Sequence, residues 1–177
     1  MTAMVFFTEG GSRCGFGHLT RCSALYDEAR ACGLAPRFVI NGDDEVLRVL
    51  GERHVELVDW RDEACIHARL TPESFAVVDS YLADRQVYEW ISGSCKRALF
   101  IDDNQRMAYP GGVVVNPSIY GHRLEYPQTP GVDYLLGPRY VILRPEFRQL
   151  VPRIRRTEVQ RVLVTLGGAD VLNLQPE

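Results

Sequence analysis

Met4-Val5-Phe6-Phe7, then Gly15-Phe16-Gly17-His18-Leu19-Thr20-Arg21: these two stretches decide the fold. The first is an apolar run that predicts a buried strand over residues 4–8. The second places two glycines directly before a helical pattern. Leu19, Cys22, Leu25, Tyr26 and Ala29 recur at i, i+3, i+4 spacing, which predicts a helix over 18–32 with Gly33 as its C-cap. Strand, glycine loop and helix in that order bring backbone close to a small ligand. The residue opening the helix is His18, and histidine moves protons near neutral pH, with an unperturbed pKa of ~6.5. The bland alternative for His18 is a helix-capping or core residue.

Outward from this unit the pattern repeats. Apolar runs predict strands over 37–40, 55–58, 75–79, 98–102 and 113–115. Helical patterns lie between them, one carrying Val46, Leu47 and Leu50 behind Asp43 or Asp44 as a cap, another over 83–91. Near-continuous apolar strands alternating with helices mark a parallel sheet covered on both faces. The expected class is therefore α/β, a Rossmann-like sheet flanked by helices. From 116 to 152 six prolines exclude a long helix. The apolar triplet at 134–136 and the run at 140–143 read as short strands or as a covering segment. Residues 152–156 read as a linker. Arg161-Val162-Leu163-Val164-Thr165-Leu166 then runs into Gly167-Gly168, which copies the opening of the chain. The expected division is 1–156 for a first domain and 157–177 for the first strand and glycine loop of a second, truncated one.

Composition sets bounds on function. The 177 residues carry 46% hydrophobic and 24% charged side chains, ordinary for a globular chain. A net charge of −3 gives no basic footprint for a nucleic-acid partner. No apolar run reaches the ~18 residues of a membrane span, and the N-terminus has no secretory pattern. Five cysteines at irregular spacing predict free thiols rather than a disulfide framework or a zinc site, and so a cytoplasmic protein.

Ligands of open parallel sheets bind beyond the carboxyl ends of the strands. Polar groups cluster there: Arg13 and His18 after the first strand, Asp79-Ser80-Tyr81 after the fourth, Asp102-Asp103-Asn104 after the fifth, and Asn116 after the sixth. Gly15 and Gly17 open the backbone so that helix-opening amides face an anion or a sugar hydroxyl. The dinucleotide fingerprint is absent, because Leu19-Thr20 stands where its third glycine belongs. Asp79 reads as a base, as the group orienting His18 through a ring nitrogen, or as a helix cap. Tyr81 either hydrogen-bonds a sugar or packs beside the loop. Cys14 is either a nucleophile or a small residue in a tight turn. Asp102 and Asp103 are adjacent and should face opposite ways, so they argue against a metal site. His54, His67 and His122 are assigned no role.

Arg13-Cys14-Gly15-Phe16-Gly17-His18-Leu19-Thr20-Arg21 resembles, through its Gly-x-Gly-His-x-x-Arg run, the signature of the UDP-2,4-diacetamido-2,4,6-trideoxy-β-L-altropyranose hydrolases of pseudaminic acid biosynthesis. Five further segments are similar to that family in the same order: 78–81, 100–103, 115–117, 137–147 and 164–170. The resemblance implies one half of a GT-B-like architecture, two α/β domains across a cleft. It implies hydrolysis of a UDP-sugar at the anomeric carbon, with inversion, water as co-substrate and no metal or other cofactor. His18 matches the family's essential histidine, and Asp79 and Tyr81 lie on its second motif. Arg13, Gly15, Phe16, Gly17, Arg21, Asn116, Gly167 and Gly168 are the expected substrate-binding residues. A single domain would lack the nucleotide half of the site, so 177 residues alone are expected to be inactive. Self-association through the edge of the truncated second domain is a further expectation. Two other readings stay open: a GT-B glycosyltransferase using a UDP-sugar donor, and a non-catalytic sugar-nucleotide-binding module.

Overall fold

A computed structural model describes residues 1–147 and 157–164. Seven strands build one sheet: β1 (Ala3–Gly10), β2 (Ala35–Gly42), β3 (Val55–Leu57), β4 (Phe75–Asp79), β5 (Arg97–Ile101), β6 (Gly112–Asn116) and β7 (Val132–Leu136). Their order is β3-β2-β1-β4-β5-β6-β7, and every pairing is parallel. The helices are α1 (Gly17–Ala31), α2 (Glu45–Leu50), α3 (Glu63–His67) and α4 (Arg85–Ser94). This is the expected Rossmann-like α/β arrangement.

The strands obey period two, and both of their faces are buried. Phe6, Phe38, Ile40, Val77 and Ile101 point to one side, against Leu19, Cys22 and Tyr26 of α1 and Val46 and Leu50 of α2. Val5, Phe7, Val39, Val78, Phe100 and Val114 point to the other, against Trp60, Ile66, Val87, Tyr88 and Ile91. Each such side chain stabilises the fold by roughly 1.5–3 kcal/mol on burial. Two-sided burial is why these strands read as unbroken apolar runs.

Local chemistry sets the helix ends. Gly33 takes the left-handed conformation (φ 79°) after α1, and the Leu34 amide donates back to the Ala29 carbonyl at 3.0 Å. That is the Schellman stop the glycine predicts. Asp62 caps α3 through the Cys65 amide at 2.9 Å, and Asp84 caps α4 through the Val87 amide at 3.1 Å. Helix α4 therefore begins at Arg85, two residues later than the pattern suggests, and its cap is not Asp79.

Two ambiguous segments separate. Residues 132–136 join the sheet as β7, whereas 140–143 form no ladder. Pro138–Tyr140 is a single 3-10 turn, and Ile142 then packs over the α1 side of the sheet. Residues 161–164, the described part of the strand expected at 161–166, form no pairing, and Val162 and Leu163 are exposed. Gly167 and Gly168 lie outside the described residues. Among the described residues, no helix is long and apolar enough to cross a membrane.

The sheet order reverses at β1. Strand β1 lies between β2, which follows it through α1, and β4, which starts the series running the other way. Open parallel sheets have their crevice at such a switch point, outside the carboxyl ends.

Candidate active site

The chain leaves β1 through a tight turn at this switch point. Gly11 (φ 143°) and Gly15 (φ 79°) occupy the left-handed half of conformational space. They exchange two backbone hydrogen bonds, at 3.1 and 2.8 Å. Asp43 holds the turn from the β2–α2 connection, accepting from the Ser12 amide at 2.9 Å and its hydroxyl at 2.6 Å. Behind the turn the ends of β1 and β2 run close together: a Cβ at Gly42 would sit 2.2 Å from the Gly10 carbonyl oxygen. The chain then enters α1 at Gly17, with Phe16 as an N-cap that makes no side-chain bond.

His18 and Arg21, three residues apart, share one face of the first turn of α1. Both reach Asp79 at the end of β4. His18 Nδ1 lies 2.7 Å from Asp79 Oδ1. Arg21 donates to the same carboxylate through Nε at 2.9 Å and Nη2 at 2.7 Å. The Asp79 side chain is 1% exposed. The guanidinium also spans to Asp103 beyond β5, with Nη1 at 2.7 and 3.0 Å and Nη2 at 3.0 Å. The Tyr81 phenol donates to Asp103 Oδ2 at 3.0 Å, and its ring meets the His18 ring edge to face, 4.7 Å between centroids. Residues from α1, the β4 exit and the β5 exit thus form one cluster.

The cluster fixes protonation. A carboxylate accepts, so His18 Nδ1–H donates to Asp79, and neutral His18 keeps a lone pair at Nε2. The His18 side chain is 12% exposed, at the mouth of the strands rather than in the apolar interior. Burial disfavours its protonated form. The Asp79 hydrogen bond and charge, with Glu9 adding, outweigh burial and raise its pKa above the ordinary value. For Asp103, burial opposes the charged form, but the Arg21 guanidinium prevails and the carboxyl sits below its usual range. The Cys22 thiol, 3.8 Å from Asp79, is pushed well up by burial and then by that carboxylate. Cys14 is exposed on the turn, and partial burial with the Glu9 charge raises its pKa, which suits a turn residue better than a nucleophile.

The structure brings His18, Asp79, Tyr81 and Arg21 together, with Gly15, Phe16 and Gly17 on the rim. Arg13 is exposed on the turn. Asn116 is elsewhere: fully buried at the end of β6, two strands beyond β4, it accepts from the Ser118 amide and hydroxyl and donates to the Tyr126 phenol at 3.1 Å. It holds the β6 exit and does not face the cluster. Asp102 turns away from Asp103, as adjacent strand residues should. It accepts from the Tyr126 phenol at 3.0 Å and from the Asn104 and Arg106 amides. Beside the α1 N-terminus a groove of about 410 Å³ runs between Phe16, Gly17 and Arg21 on one side and Arg144 and Phe147 on the other.

Three participants escaped the sequence reading. Glu9, buried at the end of β1, accepts from the Tyr81 amide. Asp103 is the second carboxylate on Arg21. Arg106 donates to the Ser80 and Ala83 carbonyls and lies over the Tyr81 ring at 5.7 Å. The signal for Glu9 was a carboxylate at the strand end, between Thr8 and Gly10. Asp103 was visible only as one of a strand-end pair.

No family model matches the chain. Over 97% of its length it is 23% identical to the uncharacterized protein MJ1062 of Methanocaldococcus jannaschii. The chain spans 38% of that relative's length.

Proposed function

We propose that the chain carries the base-bearing half of a UDP-sugar hydrolase, in which water displaces UDP from the anomeric carbon of a 2,4-diacetamido-2,4,6-trideoxy sugar with inversion. The observation that carries this reading is the 2.7 Å contact from His18 Nδ1 to Asp79, which leaves Nε2 as a free acceptor at the switch point of the sheet. The order of segments resembling the pseudaminic acid hydrolases supplies the substrate class.

In this mechanism Nε2 takes one proton of water as the water oxygen bonds to the anomeric carbon. The bond from that carbon to the diphosphate oxygen breaks, and UDP leaves with the electron pair. The resulting imidazolium is held by Asp79, which stays ionised and fixes the ring orientation. A positioned base of this kind contributes ~10²–10⁴-fold. Arg21 anchors Asp79 so that the carboxylate cannot follow solvent. The first amides of α1, uncapped by any side chain, and the Phe16–Phe147 groove flank the place for the sugar diphosphate. The nucleotide contacts belong to residues from Gly167-Gly168 onward, in keeping with a relative more than twice as long.

Incubation of the full-length protein with the UDP-sugar in ¹⁸O-water tests the reading. The expected label is in the released sugar, with His18→Ala losing at least ~10²-fold in turnover while still binding UDP. Label in the UDP phosphate, or a His18→Ala variant with wild-type turnover, overturns it. Sugar transferred to an alcohol acceptor in preference to water would point to a glycosyltransferase instead.

A further inference from the structure

Tyr81 is held from several sides. Its amide donates to Glu9, its phenol to Asp103 at 3.0 Å, and Arg106 covers its ring at 5.7 Å. The residue is nevertheless 51% exposed, beside the mostly buried His18 ring. Asp103 already accepts three hydrogen bonds from Arg21, between 2.7 and 3.0 Å. That guanidinium keeps the carboxyl ionised against the cost of burial. An ionised carboxylate has no proton to give, so the phenol hydrogen points at Asp103. What the phenol oxygen has left for the open side is lone pairs.

We infer that Asp103 sets the hydrogen-bond polarity of Tyr81, so that the site presents an acceptor beside His18 and selects a sugar carrying an N–H or O–H donor at that place. The inference rests on the hydrolase reading, for which the fitting donor is the amide N–H of an acetamido group. A sugar hydroxyl offers the same chemistry. An ester or ether oxygen there would meet another lone pair. Asp103 makes no contact with the reacting atoms in this scheme. It is a positioning residue that acts through Tyr81.

The experiment compares kcat/KM of the full-length protein for three UDP-sugars that carry an acetamido, a hydroxyl or an acetoxy group beside the anomeric carbon. The wild type should favour the acetamido over the acetoxy sugar by about 10-fold, the scale of one hydrogen bond. The hydroxyl sugar, also a donor, should likewise exceed the acetoxy sugar, and a hydroxyl sugar no better than the acetoxy one overturns the inference. Asp103→Asn frees the phenol to rotate, and the preference should fall to within about threefold. Asp103→Glu should restore it. On a Tyr81→Phe background, Asp103→Asn should change the preference no further. An unchanged preference in Asp103→Asn, or additive effects of the two substitutions, overturns the inference. The Tyr81 phenol, raised by burial and then by Asp103, gives a second readout that needs no turnover: in Asp103→Asn it should titrate at lower pH, and an unmoved titration counts against the inference. A wild-type protein that turns over none of the three sugars overturns the hydrolase reading and the sugar named here. The phenol titration still decides whether Asp103 governs Tyr81.

Discussion

Asp79→Asn separates the electrostatic role of the buried carboxylate from its shape. The substitution keeps volume and removes one charge from a side chain that is 1% exposed. It weakens three charge-assisted hydrogen bonds, two from Arg21 and one from His18. Breaking a buried ion pair costs ~3–5 kcal/mol. Here Arg21 keeps Asp103 and 21% of its side chain reaches solvent, so about 3 kcal/mol is the expected loss. The pH dependence carries the sharper test. The His18 pKa is raised in the folded protein, through Asp79 prevailing over burial. A group with a raised native pKa contributes stability that is full below its unfolded value of ~6.5 and is lost as pH climbs through the native value. Asp79→Asn removes that contribution. The stability gap between wild type and variant is therefore widest below the unfolded value of ~6.5 and narrows as pH climbs through the raised native value. Urea unfolding at several pH values measures the gap, and NMR titration of the His18 ring measures its pKa directly. The acid limb of kcat/KM should move to lower pH in the variant, with the plateau reduced by ~10²–10⁴-fold as the ring loses its fixed tautomer. A His18 titration identical in both proteins, or a gap that widens with pH, refutes the reasoning.

Gly42→Ala places a Cβ 2.2 Å from the Gly10 carbonyl, backbone against backbone. The ends of β1 and β2 must separate, which should cost ~1–3 kcal/mol in denaturant unfolding. Trp60→Phe deletes the bond from the indole Nε1 to the Thr8 carbonyl, 2.8 Å long in the core, and should lower stability by about 1–3 kcal/mol. Arg21→Lys keeps the charge but loses the planar fork that spans two carboxylates. Turnover should fall by about 10-fold or more while UDP affinity holds, because the lysine leaves Asp79 and Asp103 unevenly satisfied. Steady-state kinetics beside UDP titration calorimetry separates those two quantities.

The sheet was legible because parallel strands buried on both faces carry their signature in consecutive residues. Phe6 and Phe7 go to opposite sides, and both are fully buried. Strand β7 was half legible: residues 134–136 are apolar, but their partner is β6, reached by a helix-poor crossover that leaves no periodic trace. The run at 140–143 is also apolar and has a different fate: it leaves the 3-10 turn at Pro138–Tyr140 and lays Ile142 over the α1 side of the sheet. Helix α3 is only five residues long, too short for periodicity. At the site, Asp79 had three readings. The structure leaves the orienting one in geometric terms, since Asp84 caps α4 and Asp79 is 2.7 Å from the ring. The link from Arg21 to Asp103 spans 82 residues and exists only because β5 lies beside β4. No local pattern encodes that. Asn116 shows the opposite error: a polar residue at a strand end satisfied the rule for ligand sites, yet its amide is consumed by its own loop.

The charges of the cluster argue for proton acceptance rather than for stability. Arg21 supplies one positive charge to two carboxylates, Asp79 and Asp103. A buried arrangement of this kind returns little net folding energy, because desolvation offsets the attraction. With His18 neutral the four side chains sum to minus one, and with His18 protonated they balance. The protein therefore holds, before any substrate arrives, an environment matched to the imidazolium that a base forms when it takes a proton. Fixed charges aimed at a state that develops during reaction lower its barrier without reorganising. Asp103 shares in that balance, because beyond its Arg21 and Tyr81 hydrogen bonds the His18 charge also acts on it directly and favours its ionised form.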